Sequence, residues 1–247
     1  MSFNYRVLAK KYKGDVYFDI HCVYYDNQST PIGYSETPST ITSETVEEIS
    51  STLDKMKEAL TKPIIWYGDK FPELYKEKVL HIVDFDDTLY KTPHNTEESR
   101  EIYLINKGVE YPHKGWFGRV ESLDLEAFSD IIKVNEDIKN VYLNKTDNDY
   151  FVLLTGRIPR FEKIIKTIMK KDGFIFDEYH LSTKQTLDFK LEILNDMVAR
   201  FPHYYIKMYD DREEHREPFI DFLKKHKQGM ATFYQTMDAK IINEIII

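Results

Sequence analysis

The sequence predicts an α/β protein: a Rossmann-like parallel sheet with helices on both faces, preceded by a small α+β domain. Three observations predict it. Short apolar segments at 79–85, 150–155, 174–176, 204–209 and 230–234 alternate with amphipathic stretches, the pattern of parallel strands buried on both faces. Before them lies a different organisation, one hairpin and one helix. The length of 247 residues suits one large unit with a small companion, and 42% hydrophobic with 31% charged residues supplies a core.

In chain order, DVYFDIHCVYY at 15–25 is rich in aromatic and branched residues, and a break from Asp26 to Pro31 leads into a second extended segment, Ile32 to Tyr34, so a hairpin is predicted. Ser43 reads as an N-cap with Glu47 in the first turn, and Val46, Ile49, Leu53, Met56 and Leu60 follow helical spacing until Pro63. The mixed segment 64–78 carries the domain boundary near residue 76, giving domains 1–76 and 77–247. Beyond it, helices are predicted near 98–105 and 123–139. Phe161, Ile164, Ile165, Ile168 and Met169 form the apolar face of another, and Leu187, Leu191, Leu194, Val198 and Phe201 that of a fourth. The terminal IINEIII reads as an apolar segment docked on the body or on a partner.

Charge and cysteine usage narrow the class. A net charge of -8 argues against a tight, non-specific duplex-DNA binder. A single cysteine, Cys22, forms no intrachain disulfide, no Cys/His cluster has zinc spacing, and no apolar stretch approaches a membrane span, so a cytoplasmic, membrane-free protein is expected.

The chemistry is written at strand ends: Asp84, Asp86 and Thr88 in DFDDTL, Thr155 and Arg157 in TGR, Asp210, Asp211 and Arg212 in YDDR. Neighbouring parallel strands direct their carboxyl ends to one crevice. Carboxylates crowded there repel one another unless a divalent cation offsets them, and Mg2+ is the natural choice for phosphate chemistry.

These residues resemble the haloacid dehalogenase-like (HAD) phosphatase superfamily, whose four motifs are matched by DxDxT at Asp84, Thr155, a Lys at a helix start and the pair Asp210 and Asp211. The resemblance narrows to the HAD domain of Swiss Army Knife RNA repair-like proteins through Thr92-Pro93, Gly115-Trp116-Phe117, Ser122-Leu123, LLTGR, TLDFK ending at Lys190, and Asp211-Arg212 with His215, over about residues 79–226. The TGR and DDR elements are also similar to the phosphatase half of phage polynucleotide kinase-phosphatases.

That resemblance implies Asp84 as nucleophile forming an aspartyl-phosphate, Asp86 as proton donor and acceptor, Thr155 and Lys190 on the phosphoryl oxygens, and Mg2+ held by Asp84, the Asp86 backbone carbonyl and Asp211, with Asp210 a second acidic candidate. Arg157 suits a bidentate grip on phosphate. Thr88, Lys184, Arg212 and Trp116 complete the substrate-binding candidates; Lys184 is the alternative to Lys190, and Trp116 and Phe117 are candidates either to stack on a base or to anchor their loop. Asp87 is expected to face solvent, His215 to orient its neighbours, and His94 with the other histidines to be surface or packing residues. Arg160, Lys163, Lys166 and Lys170 form a stripe on one helix, either a path for a single strand or a solvated face.

About 70 residues between the first two motifs leave little room for a lid, which suits a bulky phosphorylated end. The expected partners are phosphorylated RNA or DNA ends, 3'-phosphates above all, with other repair steps falling to partner proteins. A small-molecule or nucleotide phosphatase is the alternative within enzymes; an inactive scaffold with a protein-binding N-terminal module is the alternative outside them.

Overall fold

The computed structural model describes residues 2–13, 15–75, 77–227 and 229–247. Chain contacts divide it into two compact units, Met1–Glu77 and Lys78–Ile247. Lys76, next to which the sequence places its boundary, lies outside the described residues.

The first unit is a four-stranded sheet with one helix. Strands β1 (Ser2–Tyr12) and β2 (Asp15–Tyr25) pair antiparallel over their full length, β3 (Pro31–Tyr34) adds to β2, and after helix α1 (Val46–Ala59) the short β4 (Ile65–Trp66) runs parallel to β1. The hairpin is therefore larger than the sequence suggests, because residues 2–12, ahead of the predicted segments, are themselves a strand. Leu8, Val23, Tyr25 and Ile65 make its interior with Tyr34, Tyr67 and Phe71. The N-cap of α1 is Thr45, not Ser43: the Thr45 hydroxyl accepts the Glu48 N–H at 3.2 Å, while Ser43 reaches the Glu48 carboxylate instead.

The second unit begins with β5 (Val79–Val83), followed by β6 (Tyr90–Lys91), α2 (Glu97–Lys107), α3 (Leu125–Phe128), β7 (Lys133–Val134), α4 (Glu136–Leu143), β8 (Asp149–Thr155), α5 (Glu162–Lys171), β9 (Glu178–Leu181), α6 (Thr186–Arg200), β10 (Tyr205–Asp210), α7 (Glu213–Lys227), β11 (Ala231–Met237) and β12 (Lys240–Ile246). Its main sheet runs β12-β11-β10-β5-β8-β9, parallel throughout except for β12.

The strands alternate their apolar side chains between two cores. Leu80, Ile82, Val152, Leu154, Ile206 and Met208 face α6 and α7 through Leu194, Met197, Phe219 and Leu223. Val83, Phe151, Leu153 and Tyr209 join Ile165, Ile168 and Met169 of α5 on the other side. Both faces are thus covered, which is why these strands read as continuous apolar runs. Tyr103, Tyr111, Trp116, Leu123 and Phe128, from the segment containing α2 and α3, pack into that second core.

Three expectations change. Phe174 and Phe176 are buried but not in a strand; the ladder with β8 starts only at Glu178, preceded by a bond from the Asp177 N–H to the Phe151 carbonyl at 2.9 Å. The single helix at 123–139 is instead α3, the strand β7 paired with β6, and α4, whose cap Asn135 accepts from the N–H groups of Asp137 and Ile138. The terminal apolar segment is the edge strand β12, returned from β11 by Asp238 and Ala239, both with φ above +20° as a two-residue hairpin turn requires. Among the described residues no helix is long and apolar enough to cross a membrane.

Candidate active site

Strands β5 and β10 are neighbours whose onward connections leave in opposite directions, toward β8 on one side and β11 on the other. In an open parallel sheet, such a switch point opens a crevice at the carboxyl ends. Asp84 follows β5 there, Asp210 closes β10, Asp211 follows it, and Thr155 closes β8. The loop after β5 is a wide turn: the Asp84 carbonyl accepts the Leu89 N–H at 3.2 Å and the Phe85 carbonyl accepts the Tyr90 N–H at 2.9 Å. Asp87 has φ +51°, a left-handed conformation that Asp tolerates better than most residues.

Lys190, near the start of α6 and 1% exposed, ties the two strand ends together. Its Nζ lies 2.6 Å from Asp210 Oδ2 and 3.1 Å from Asp84 Oδ1. Burial works to lower the ammonium pKa, but Asp210 and Asp84 outweigh it and keep the group charged. Asp210 Oδ1 accepts the Arg212 N–H at 3.1 Å and stands 3.4 Å from His215 Nδ1. Burial would raise the Asp210 carboxyl, yet Lys190 holds it below the ordinary range. Asp84 is pushed up to about 6, by burial first, against the pull of Lys190. Asp211 is pushed up to about 9, by burial and then by Asp84 and Asp210.

One lysine therefore faces three carboxyl groups, each with an oxygen within 4.8 Å of the others. Asp211 Oδ1 is buried without a hydrogen-bond partner. A buried carboxylate oxygen left that way is costly unless a cation completes it, and an all-oxygen donor set suits a hard divalent ion. The residues present thus fit a Mg2+ ion held by Asp84, Asp210 and Asp211.

Asp86 is engaged differently. Arg157 Nε and Nη2 donate to its two carboxylate oxygens at 2.8 and 2.6 Å, and the Thr92 hydroxyl donates at 2.8 Å. Burial would raise the Asp86 carboxyl; Arg157 more than offsets this and brings it below the usual range. Arg157 Nη1 donates to the Phe117 carbonyl at 3.0 Å and to Ser122 Oγ at 2.8 Å. The guanidinium, which the sequence assigns to phosphate, is in this structure the clamp on Asp86. Thr155 belongs to the same turn: its hydroxyl accepts the Arg157 N–H at 3.1 Å and is fully buried. Gly156 allows the close approach of α6, since a Cβ there would stand 2.9 Å from Thr186 Cγ2.

A cleft of about 130 Å3 opens over this arrangement, with Asp84, Asp86, Arg157, Asp211 and Arg212 in its lining. Asp87, His94 and Phe117 line it too. Asp87 corrects the expectation of a solvent-facing residue: it is buried, accepts the Thr92 N–H at 3.2 Å, and sits 2.8 Å from His94 Nε2. His94 is accordingly a cleft residue, not a bystander, its imidazole pKa raised chiefly by the hydrogen bond to Asp87. Nothing in its spacing signals this, because the pair forms only through the turn at Asp87.

Three substrate-binding candidates stand elsewhere. Thr88 is fully buried, its hydroxyl 2.8 Å from Thr236 Oγ1, and fixes the loop to β11. Lys184 is exposed and paired with Glu192, so of the two lysines Lys190 is the one at the cluster. Trp116 is buried, donates from Nε1 to the Pro93 carbonyl at 2.6 Å and stacks on Tyr111 at 4.5 Å, which makes it a loop anchor. Just before α5, Arg160 donates to the Gly118 carbonyl, and on α5 itself Lys166 pairs with Glu162. His215 is buried beside Asp210.

An uncharacterized protein of Saccharomyces cerevisiae, YMR265C, is 27% identical over 169 residues, covering 58% of this chain and 36% of its own length. The chain thus spans about a third of the length of that curated relative. Among solved structures, a chain in the Pnkp1/Rnl/Hen1 complex aligns over 78% of this chain and 69% of its own, with a TM-score of 0.39 and 11% identity. The pattern of HAD domain family 1 in Swiss Army Knife RNA repair proteins matches residues 102–245, starting beyond the Asp84–Thr88 loop but taking in TGR, Lys190 and the Asp210–Asp211 pair. With more than half of its length matched, the chain belongs to that HAD family of RNA repair proteins.

Proposed function

We propose that this chain is a Mg2+-dependent phosphomonoesterase that acts on polynucleotide ends, with 3'-phosphates as its preferred substrates. The observation that carries the chemistry is the convergence of Asp84, Asp210 and Asp211 around Lys190 at the sheet's switch point. Family membership supports the setting, nucleic-acid repair. The cleft, at about 130 Å3, admits a phosphoryl group while leaving the remainder of a substrate outside, as suits the end of a polymer.

In this reading an Asp84 oxygen attacks phosphorus in line, a P–O bond forms to the carboxylate, and the bond to the leaving oxygen breaks as Asp86 supplies its proton. The charge of an arriving phosphate raises the Asp86 pKa against the pull of Arg157, making the proton-bearing form accessible at that step. Water then attacks the aspartyl-phosphate, Asp86 takes its proton, and Asp84 returns as a carboxylate with phosphate released. Lys190 offsets charge on the phosphoryl oxygens and on Asp84. Mg2+, when bound by Asp84, Asp210 and Asp211, supplies further charge neutralisation at the transferring group.

The test is a substrate panel with Mg2+ and with EDTA: oligonucleotides ending in 3'-phosphate, 5'-phosphate or 2',3'-cyclic phosphate, and nucleoside monophosphates. Phosphate release from the 3'-phosphate, abolished by EDTA, is expected. Preference for free nucleotides would replace the polynucleotide reading with a small-molecule one, and absence of turnover on every substrate would leave an inactive scaffold.

The Arg157 clamp makes a prediction about leaving groups. Arg157→Lys loses the two-pronged hold on Asp86. Phosphate release from an oligonucleotide 3'-phosphate, whose ribose alkoxide needs a proton, is expected to fall by about 10^2- to 10^4-fold. Compared in kcat/KM, which covers the steps up to departure of the leaving group and not the later attack of water, p-nitrophenyl phosphate, whose leaving group departs without a proton, should change far less. An equal loss on both substrates would return Arg157 to the role of phosphate grip.

A further inference from the structure

Phe117 is 48% exposed at the rim of the cleft, next to Trp116, which is 3% exposed. The sequence offers both rings as stacking candidates, and the structure separates them. Trp116 is closed off by Pro93 and Tyr111. Phe117 is held from one side only: the Arg157 guanidinium carbon lies 5.0 Å from its ring centroid, and its backbone carbonyl accepts from the same guanidinium. His94 meets the ring at 6.2 Å and 76°, an edge-on contact, and is itself anchored by Asp87.

The ring is therefore positioned by groups that belong to the catalytic arrangement, with its outer part left to solvent. A large apolar surface fixed in this way beside a phosphate-sized cleft has the form of a platform for a flat ring. The position of that ring follows from the chemistry. A phosphoryl group over Asp84 leaves the attached sugar at the mouth of the cleft, where Phe117 is the exposed apolar ring in the lining, His94 being tied to Asp87. Arg212, also at the mouth, supplies a cation for a backbone phosphate of the same strand.

We infer that Phe117 is a specificity-determining residue that stacks on the nucleobase of the phosphate-bearing terminal nucleotide, so that the site selects single-stranded ends with a base in place. This rests on the phosphatase reading above for the position of the phosphate. Base stacking of this kind is sequence-tolerant, since every base has a π-face.

The experiment compares two oligonucleotides identical except that the 3'-phosphorylated terminal nucleotide either carries adenine or is abasic. Wild-type protein with Mg2+ should favour the adenine substrate in kcat/KM by about 5- to 150-fold, the range typical of one stacked base. Phe117→Leu, which keeps an apolar cover over Arg157, should bring the two substrates to within about 2-fold, and Phe117→Trp should restore the preference. Damage to the Arg157 clamp would slow both substrates alike and leave their ratio intact, so the ratio isolates stacking. An unchanged ratio in Phe117→Leu overturns the inference.

A second readout does not need turnover. With 2-aminopurine as the terminal base and EDTA present to prevent hydrolysis, binding to wild-type protein should quench its fluorescence, and binding to Phe117→Leu should not. Quenching without any phosphate release with Mg2+ would retain the stacking site while the phosphatase reading fails. Equal quenching by both proteins would remove Phe117 from the site.

Discussion

Asp84→Asn is expected to abolish phosphate release while leaving the protein at least as stable without metal as the wild type. The two halves have one cause. Asp84 is buried beside Asp210 and Asp211, and its carboxyl is raised to about 6 because burial disfavours the charge more than Lys190 restores it. An amide of the same shape takes away a buried carboxyl that disfavours charge on its neighbours and leaves Lys190 its shorter partner, Asp210, at 2.6 Å. The amide is not a nucleophile toward phosphorus, so turnover should fall by at least about 10^4-fold, as removal of an attacking group does elsewhere. Thermal unfolding with EDTA checks stability and phosphate release with Mg2+ checks turnover. A variant that retains a tenth of wild-type activity would exclude Asp84 as the attacking group.

The strand ends were legible in the sequence for a physical reason. A parallel strand buried on both faces is an apolar run, and the polar residue that ends it is at the carboxyl edge of the sheet, where a switch point gathers side chains from distant parts of the chain. Asp84, Thr155 and Asp210 are placed in this way; Lys190, with Lys184 as its alternative, comes from the resemblance of TLDFK to the family's element and from its place in the first turns of a helix. What could not be read was the choice of partner. A guanidinium offers the same fork to a phosphate and to a carboxylate, so residue type alone does not distinguish an Arg157 that grips substrate from one that clamps Asp86. The Asp87–His94 pair depends on a turn with positive φ, which DFDDTL does not announce. Phe174 and Phe176 read as a strand in the sequence because burial among Tyr142 and Phe151 demands the same residue types as a sheet does.

Removing the amine of Lys190 from the cluster should have the opposite effect on stability. Lys190 is the lysine that contacts both Asp84 and Asp210, and all three side chains are 5% exposed or less. Methionine fills similar space with no charge, so Lys190→Met leaves two buried carboxylates without their partner, next to Asp211. Breaking a buried ion pair by deleting one member costs about 3–5 kcal/mol, because the remaining charge has lost its solvent as well as its partner. For a unit of this size that corresponds to a fall in Tm of roughly 6–20 °C. The carboxylates left behind are the oxygens proposed to hold Mg2+, so added Mg2+ should recover part of the loss, and by more degrees than it adds to the wild type. The Asp84→Asn/Lys190→Met double variant separates the causes: with one carboxylate gone there is less charge to strand, and its metal-free Tm should lie above that of Lys190→Met alone. If both Lys190 variants instead unfold like the wild type in EDTA, the lysine does not offset the acidic cluster, and the electrostatic account of the site fails with it.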